Sequence, residues 1–586
     1  MFEKEQERIQ QQITAILEKH NYPVNPFRWT WIPFSGHWGI ATSFFANAAA
    51  IPNKEKGFNV KQKAVEIADQ VVEELALSAE IDHAESVNGY LNIYYDSAHF
   101  ARRVVDEILN QKNRFGSQAK FGEKVMVEYS QPNTHKAFHV GHLRNMVLGS
   151  AICDILDFSG LDVIRVNYLG DIGLHVIKWL WNYIHFHSGE EPPSEGKTRW
   201  MGALYAEAAK KIDENPEYEE QVRELFKRWD DKEPQIVNLW KKTRQWSLEA
   251  FDEVYSLLGI QFDKVYFESE VEGPGKEIVQ ELINKGLAKD ERPEGAVIVD
   301  LDEIMGTKEK YRVVVILRSD GTSLYPTKDL PLAIMKFADF NISRSIYVID
   351  VRQSLYMKQI FKILELIGYA WAKDCYHLAY ELVNLPGNVT IASREGTVVL
   401  LEDLIAEAQK RAYAIVQEKN PELDDGMKMD IALKVAIGAI KYSLLSRDNT
   451  KIITFDWESA MNVNGQAAPY IQYAAVRANS ILRKVRFSIP ESEDITYKLS
   501  EDEVELIDLL ARLPQEVQRA ANEMRPLLIA NYAYNVAQAF SNFYNKCHVL
   551  NADAEIRDFR LRLSAASKQV INNALGLLGI EVPEVM

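Results

Sequence analysis

The chain has 586 residues, 47% hydrophobic and 26% charged, with a formal net charge of -17. It is too long for one hydrophobic core and ordinary in composition for a globular protein, so several packed modules are expected and dominant disorder is excluded. The acidic balance excludes a uniformly basic nucleic-acid binder, although a local cluster of Lys and Arg on one face could still meet RNA.

From the N-terminus, MFEKEQERIQQQITAILEKH is charged from its third residue and sets Ile9, Ile13, Ile16 and Leu17 at helical spacing. An amphipathic helix is expected there, and no export signal. A second helical stretch, KQKAVEIADQVVEELAL, leads to the alternating GYLNIYYD and a third helix, AHFARRVVDEILNQ, so residues 1–116 read as a small α+β domain. EKVMVEYS (123–130) is a short β-rich run ended by QPN. HLRNMVLGSAICDILDFSG then places Leu143, Met146, Val147, Ala151 and Leu156 near helical spacing and closes on Gly160. LDVIRVNYLGDIG reads as a second strand, and strand, loop, helix, strand is the start of a parallel sheet.

From about 175 to 290 the pattern is helical and highly charged, broken by the loop SGEEPPSEGK, and an insertion is expected. GAVIVDL, YRVVVILRSD and SRSIYVID resume the strands, and LYMKQIFKILELIG follows as a helix. These segments predict the second half of a doubly wound, Rossmann-like sheet. Beyond about 400 the period is helical almost throughout, which predicts an all-α C-terminal domain. No apolar run is long enough to span a membrane. Cys153, Cys375 and Cys547 lie far apart without a CxxC pair, which fits a reducing cytosol better than a disulfide framework or a cysteine zinc site.

The segment SQPNTHKAFHVGHLRN (130–145) joins the first strand to a helix N-terminus, where unpaired backbone N–H groups and the helix dipole favour an anion. His139 and His142 can donate to phosphate oxygens, Gly141 lets a flat ring approach the backbone, and Lys136 adds a point charge. Surface turn histidines are the alternative, but the loop lies at the end of a first sheet strand, where doubly wound folds bind ligands. Two decoys fail: six residues, not four, separate Gly189 from Gly196 in the Walker-like GEEPPSEGKT, and HFH at 185–187 has no third metal ligand.

HVGH (139–142) resembles the HIGH signature of class I aminoacyl-tRNA synthetases, and VEYSQPNTHKAFHVGHLRN is similar in particular to the arginyl-tRNA synthetases. The likeness continues through NYLGDIG (167–173), LRSDGTSLYPTKDL (317–330), YVIDVRQ (347–353) and IASREGTVVLLEDL (391–404). IGAIKYSLLSRDN, PYIQYAAVRANSIL and the final GIEVPEVM extend it over nearly the whole chain. The resemblance implies four regions: an N-terminal α+β domain touching tRNA (1–116), a Rossmann-like catalytic domain with its helical insertion (117–400), a helical stem-contact linker (401–460) and an anticodon-binding domain (461–586).

It also implies activation of L-arginine by ATP, with magnesium on the nucleotide, and transfer to tRNA(Arg). A cytoplasmic monomer with no membrane association is expected, as is activation that needs bound tRNA. Lys136, His139 and His142 would be catalytic, and His139, Gly141, His142, Gly170, Asp171, Ser393 and Arg394 would meet the nucleotide. Glu128, Asn133, Tyr325, Asp329 and Gln353 match positions that bind arginine, whose planar guanidinium is best met by carboxylates. Taken alone, Glu128 reads better as a strand-end charge and Asp329 as a helix N-cap, and only their joint match reverses that. Tyr470, Tyr473 and Arg477 would contact the anticodon, with core packing as the alternative for the tyrosines.

Two departures stand out. Aligned on Gly396, the second class I signature, KMSKS, has Thr390 and Ser393 at its two lysine positions and Glu395 where another lysine is usual; the resemblance implies that a lysine just ahead of HIGH then takes the role of the second one, and Lys136 occupies that place. Tyr356 stands where many relatives have histidine. The lost lysines raise a non-catalytic paralogue as the competing reading; a sibling class I enzyme would leave the pairing of Glu128 with Asp329 unexplained.

Overall fold

A computed structural model describes residues 3–32, 34–52, 57–78, 80–306, 308–385, 389–390, 400–485 and 489–586. They form two compact units, one comprising residues 1–115, 474–515 and 535–573, the other 116–473, 516–534 and 574–586.

The first unit contains a four-stranded antiparallel sheet in the order Thr30–Ile32, Gly39–Ser43, Tyr90–Tyr95, Ile81–Val87. Period-two alternation in GYLNIYYD buries Leu91, Ile93 and Tyr95, as expected for a strand with one wet face. Trp38 stacks on Phe100 of the Ser97–Gln111 helix at 4.5 Å between ring centroids. The Arg562 guanidinium reaches Asp106 at 2.6 Å, and Arg102 pairs with Asp494, fastening later segments into the same unit.

The second unit is built on five parallel strands. β1 (Lys124–Glu128) leads through α1 (Val140–Phe158) to β2 (Asp162–Leu169). Four helices follow, α2 (Leu174–Phe186), α3 (Lys197–Glu214), α4 (Glu217–Asp230) and α5 (Pro234–Leu258), before β3 (Lys264–Phe267). Then come α6 (Glu268–Asn284), α7 (Tyr325–Phe340), β4 (Arg344–Asp350), α8 (Ser354–Ile367) and β5 (Cys375–Tyr380). The spatial order is β5-β4-β1-β2-β3. Connections leave β1 and β4 in opposite directions, so a crevice opens at the carboxyl ends of these two neighbours. Tyr347 of β4 sits in register with Glu128 of β1 at its rim.

Two strand expectations need correction. GAVIVDL and YRVVVILRSD do not enter the parallel sheet: Val297–Asp300 and Val313–Leu317 pair antiparallel in a separate three-stranded sheet. Their alternating burial, with Val313 and Val315 exposed but Val314 and Ile316 buried, is hidden in a sequence where both faces carry apolar residues. Conversely, the expected helical insertion is interrupted by β3, whose four residues are too short to register as a strand in a charged helical stretch.

Helices α9 (Leu401–Lys419) and α10 (Asp425–Leu445) pack against each other beyond the sheet. The buried Lys441 of α10 donates to the carbonyls of Leu258 at 2.6 Å and Gly579 at 2.5 Å, meeting the negative end of α5. Burial brings its ammonium down to about 8. Among the described residues no helix is long and apolar enough to cross a membrane.

Candidate active site at the sheet switch point

A cavity of about 590 Å³ opens at the crevice between β1 and β4. All five positions expected to bind arginine line it: Glu128 ends β1, Asn133 lies in the following loop, Tyr325 and Asp329 open α7, and Gln353 precedes α8. Tyr325 is 70% exposed, so its ring is available to cover a ligand. Asp329 is not a helix N-cap, because α7 begins at Tyr325 with Leu324 in the cap position. Nor is Glu128 a solvated strand-end charge; it is 3% exposed.

Three carboxylates line this space, and their partners differ. Glu128 pairs with the fully buried Lys336 and accepts from Gln131 Nε2 at 2.7 Å. Glu268 accepts from Lys328 Nζ at 2.5 Å. Asp329 has no cationic partner within ion-pair distance among the described residues; its Oδ2 accepts from the neutral Tyr356 hydroxyl at 2.5 Å. Burial pushes the Asp329 carboxyl up to about 7, the Tyr356 hydrogen bond and Lys336 opposing the rise while Glu128 and Glu268 add to it. With Asp329 ionised, above that pH, three acids against two ammonium groups leave the cavity one positive charge short. That is the complement of a monocation.

The His139–His142 loop uses other means. Ser130, Gln131 and His135 adopt positive φ, and the buried His135 ring is held between Thr134 Oγ1 at 3.0 Å and Thr243 Oγ1 at 2.9 Å. At the start of α1, His139 Nδ1 accepts from Gly141 N–H at 3.1 Å and His142 Nδ1 accepts from His139 N–H at 3.2 Å. The two rings stack at 3.8 Å. Burial, reinforced by Lys136, lowers His139 to about 4 and takes His142 well below the usual imidazole value. Both rings are therefore neutral at pH 7, and with each Nδ1 accepting, the proton sits on Nε2 as a donor. Lys136 Nζ lies 4.8 Å from the centre of the Tyr205 ring on α3. A Cβ on Gly141 would stand 2.9 Å from His139 Cε1, so this glycine makes room for the histidine's own ring, not only for a ligand.

Gly170 also lines the cavity, and a Cβ there would overlap Asn133 Oδ1; the glycine lets the two loops pair as a parallel bridge. Asp171, expected to meet the nucleotide, is corrected: it is 0% exposed, with Oδ2 accepting from Arg244 at 2.7 Å and Ser269 Oγ at 2.7 Å and Oδ1 from Ser269 N–H at 2.9 Å. It joins α5 to the start of α6 instead. Ser393 and Arg394 lie outside the described residues. Tyr470 is half-buried against Tyr534 at 5.5 Å, Tyr473 is half-buried on the same helix, and the Arg477 guanidinium lies 5.3 Å from the Tyr544 ring centre.

Sequence reading missed Lys336, Lys328, Glu268 and the role of Tyr356. It also missed Asn145, whose side chain accepts from Ser130 N–H at 2.5 Å and donates to Val348 O at 2.8 Å, pinning the loop's first residue to β4. Arg144 beside it donates to the carbonyls of Glu381, Leu382, Asn449 and Lys451, tying α1 to two further loops.

Comparison with known proteins places the chain in a family. The family model described as tRNA synthetases class I (R), catalytic domain, matches residues 104–457, and that of the DALR anticodon binding domain matches 471–586. The chain is 36% identical to the arginine--tRNA ligase of Clostridium acetobutylicum over 89% of its own length and 90% of the relative's. It is 37% identical to that of Treponema denticola, over 86% of each chain. Among solved structures it resembles Thermus thermophilus arginyl-tRNA synthetase, with a TM-score of 0.77 at 26% identity, covering 99% of this chain and 100% of the other.

Proposed function

The chain belongs to the class I arginyl-tRNA synthetases, and we propose that the cavity between β1 and β4 is where it holds arginine for activation. The enzyme joins L-arginine to ATP as arginyl-adenylate and transfers the arginine to the terminal ribose of tRNA(Arg). One observation carries the assignment of the cavity: two of its three carboxylates are neutralised by buried lysines, and Asp329 is left for the guanidinium. Glu128 is then a second, already compensated acceptor, not an equal anchor.

Tyr325 covers the substrate stem, while Asn133 and Gln353 take the amino and carboxylate groups. Anchored this way, the carboxylate is aimed at the α-phosphate of ATP. The step is an in-line displacement of pyrophosphate, so the protein's contribution is positioning and charge neutralisation. The Nε2–H donors of His139 and His142, with the N-terminus of α1, receive phosphate oxygens, and Lys136 offsets charge developing on the leaving pyrophosphate. Gly170, Ser393 and Arg394 are added as nucleotide contacts by the family resemblance. Magnesium is taken to arrive with ATP, whose phosphate oxygens are the hard ligands this cation prefers.

Residues 1–116 and 461–586 are assigned to tRNA contact, with Tyr470, Tyr473 and Arg477 toward the anticodon; the anticodon-domain match supports the second assignment. A cytoplasmic monomer completes the proposal; the three free cysteines support a reducing compartment.

Calorimetric titration with L-arginine and with citrulline, its neutral isostere, tests the cavity. Binding of arginine at least tenfold tighter than citrulline is expected from one charge-assisted contact. Equal affinity would remove Asp329 from the role of anchor.

A further inference from the structure

Tyr356 lies in the first turn of α8 and faces the first turns of α7 across the cavity. Its hydroxyl donates to Asp329 Oδ2, and Asp329 Oδ1 takes no hydrogen bond among the described residues. We propose that Tyr356 is a positioning residue for arginine recognition: by occupying Oδ2 it fixes the carboxylate rotamer and leaves Oδ1 turned to the guanidinium. The proposal rests on the cavity being the arginine site.

The geometry gives this hydroxyl leverage. A lone Asp in an enclosed site can rotate about χ2 or take a proton, and either event removes the acceptor that a guanidinium needs. The surroundings press toward protonation. Glu128 from β1 and Glu268 from α6 oppose a third negative charge, Lys336 and Lys328 compensate those two acids first, and Tyr168 and Tyr347 wall the site with groups that stay neutral. Tyr356 is the neutral donor that stabilises the ionised form without adding a competing cation. A lysine in its place would fill the vacancy meant for the substrate.

Because the hydrogen bond favours the charged carboxylate, losing it raises the Asp329 pKa further above its present value near 7. Arginine binding needs the carboxylate, so the KM for arginine falls as pH rises through this pKa and climbs below it. Removal of the hydroxyl moves that limb to higher pH.

Arginine-dependent ATP–pyrophosphate exchange with tRNA(Arg) present, run from pH 6 to 9 on wild type, Tyr356→Phe, Tyr356→His and Asp329→Asn, tests the proposal. Tyr356→Phe is expected to raise the KM for arginine about tenfold near pH 7, the order of one hydrogen bond to a charged group, with kcat and the KM for ATP within about twofold and the pH limb shifted upward. Tyr356→His, whose imidazole N–H can donate, restores most of the loss. A wild-type KM and pH profile for Tyr356→Phe overturns the proposal, and so does a loss spread equally over arginine KM, ATP KM and kcat. Thermal melts check that each variant folds; should Tyr356→Phe not fold, Tyr356→Leu, which also lacks the donor, carries the test against Tyr356→His, and equal arginine KM and pH limb in the two overturn the proposal. If Asp329→Asn leaves arginine KM unchanged, the arginine site itself is misassigned and the proposal falls with it; that failure is distinguished because it appears without any change at Tyr356.

Discussion

At the arginine cavity the protein encloses three carboxylates and pairs two of them with buried lysines, whereas at the start of α1 it presents two neutral, stacked histidines and keeps its cation, Lys136, on a loop beside an aromatic ring. On the proposed reading, each arrangement answers the charge it would receive. A guanidinium arrives as a single positive charge, and a site one positive charge short can meet it without gathering repulsive acids at the moment of binding. A triphosphate arrives with charge in excess and redistributes it during the reaction. Neutral Nε2–H donors and backbone amides can hold it before and after, and the Lys136 ammonium offsets the charge that develops. On this reading recognition rests on buried ion pairs, and catalysis on neutral donors at a helix start with one lysine beside them.

This contrast breaks most visibly at Lys336. Lys336→Met strands Glu128 as a buried unpaired carboxylate, and an unfolding free energy lower by about 3–5 kcal/mol is expected in denaturant titration. Lys136→Ala, at the loop, should leave that titration within about 0.5 kcal/mol of wild type. Its loss is kinetic: kcat for adenylate formation should fall on the order of a hundredfold, with arginine KM nearly unchanged. Asp329→Asn is the opposite case, raising arginine KM roughly tenfold or more while kcat stays close, because a charge-assisted bond becomes neutral. In the unaltered enzyme the same acid gives a pH signature. Its folded pKa is raised to about 7, so the carboxylate is present above that value and lost below it, and arginine KM should climb severalfold between pH 8 and pH 6. The smallest effect is expected at Gly141→Ala. The new Cβ pushes the His139 ring aside and should raise ATP KM by about threefold without touching arginine KM.

How much of this was legible in the sequence depended on distance along the chain. The histidine loop is a local device: its caps, its glycine and its helix N-terminus all fall between residues 139 and 142, and residue types in that spacing already suggest anion chemistry. Glu128, Asn133, Tyr325, Asp329 and Gln353, which line one cavity, were singled out only through family resemblance, since each alone reads as a strand end, a turn or a helix start. Lys336 was invisible. It pairs with Glu128 across 208 residues and stands in PLAIMKFADF, where a lysine looks like a solvated helix face; the available hint was its spacing of seven from Asp329, which puts both on one face of α7. Asp171 misled in the other direction, because a motif position does not say whether its carboxylate faces a ligand or an Arg244 brought in from α5. In the fold, β1, β2 and β4 were legible from their apolar runs, while β3 was too short and the strand Val313–Leu317 too apolar on both faces to reveal its true partner.

The most direct test of the division between cavity and loop is a double-mutant cycle in arginine-dependent ATP–pyrophosphate exchange, with tRNA(Arg) present, using Lys136→Ala, Asp329→Asn and the two combined. If the loop acts on the phosphates and the cavity on the guanidinium, the losses in kcat/KM multiply, with a coupling energy under about 0.5 kcal/mol. A double mutant no worse than the poorer single one would mean that the two groups act as one unit and would contradict the account.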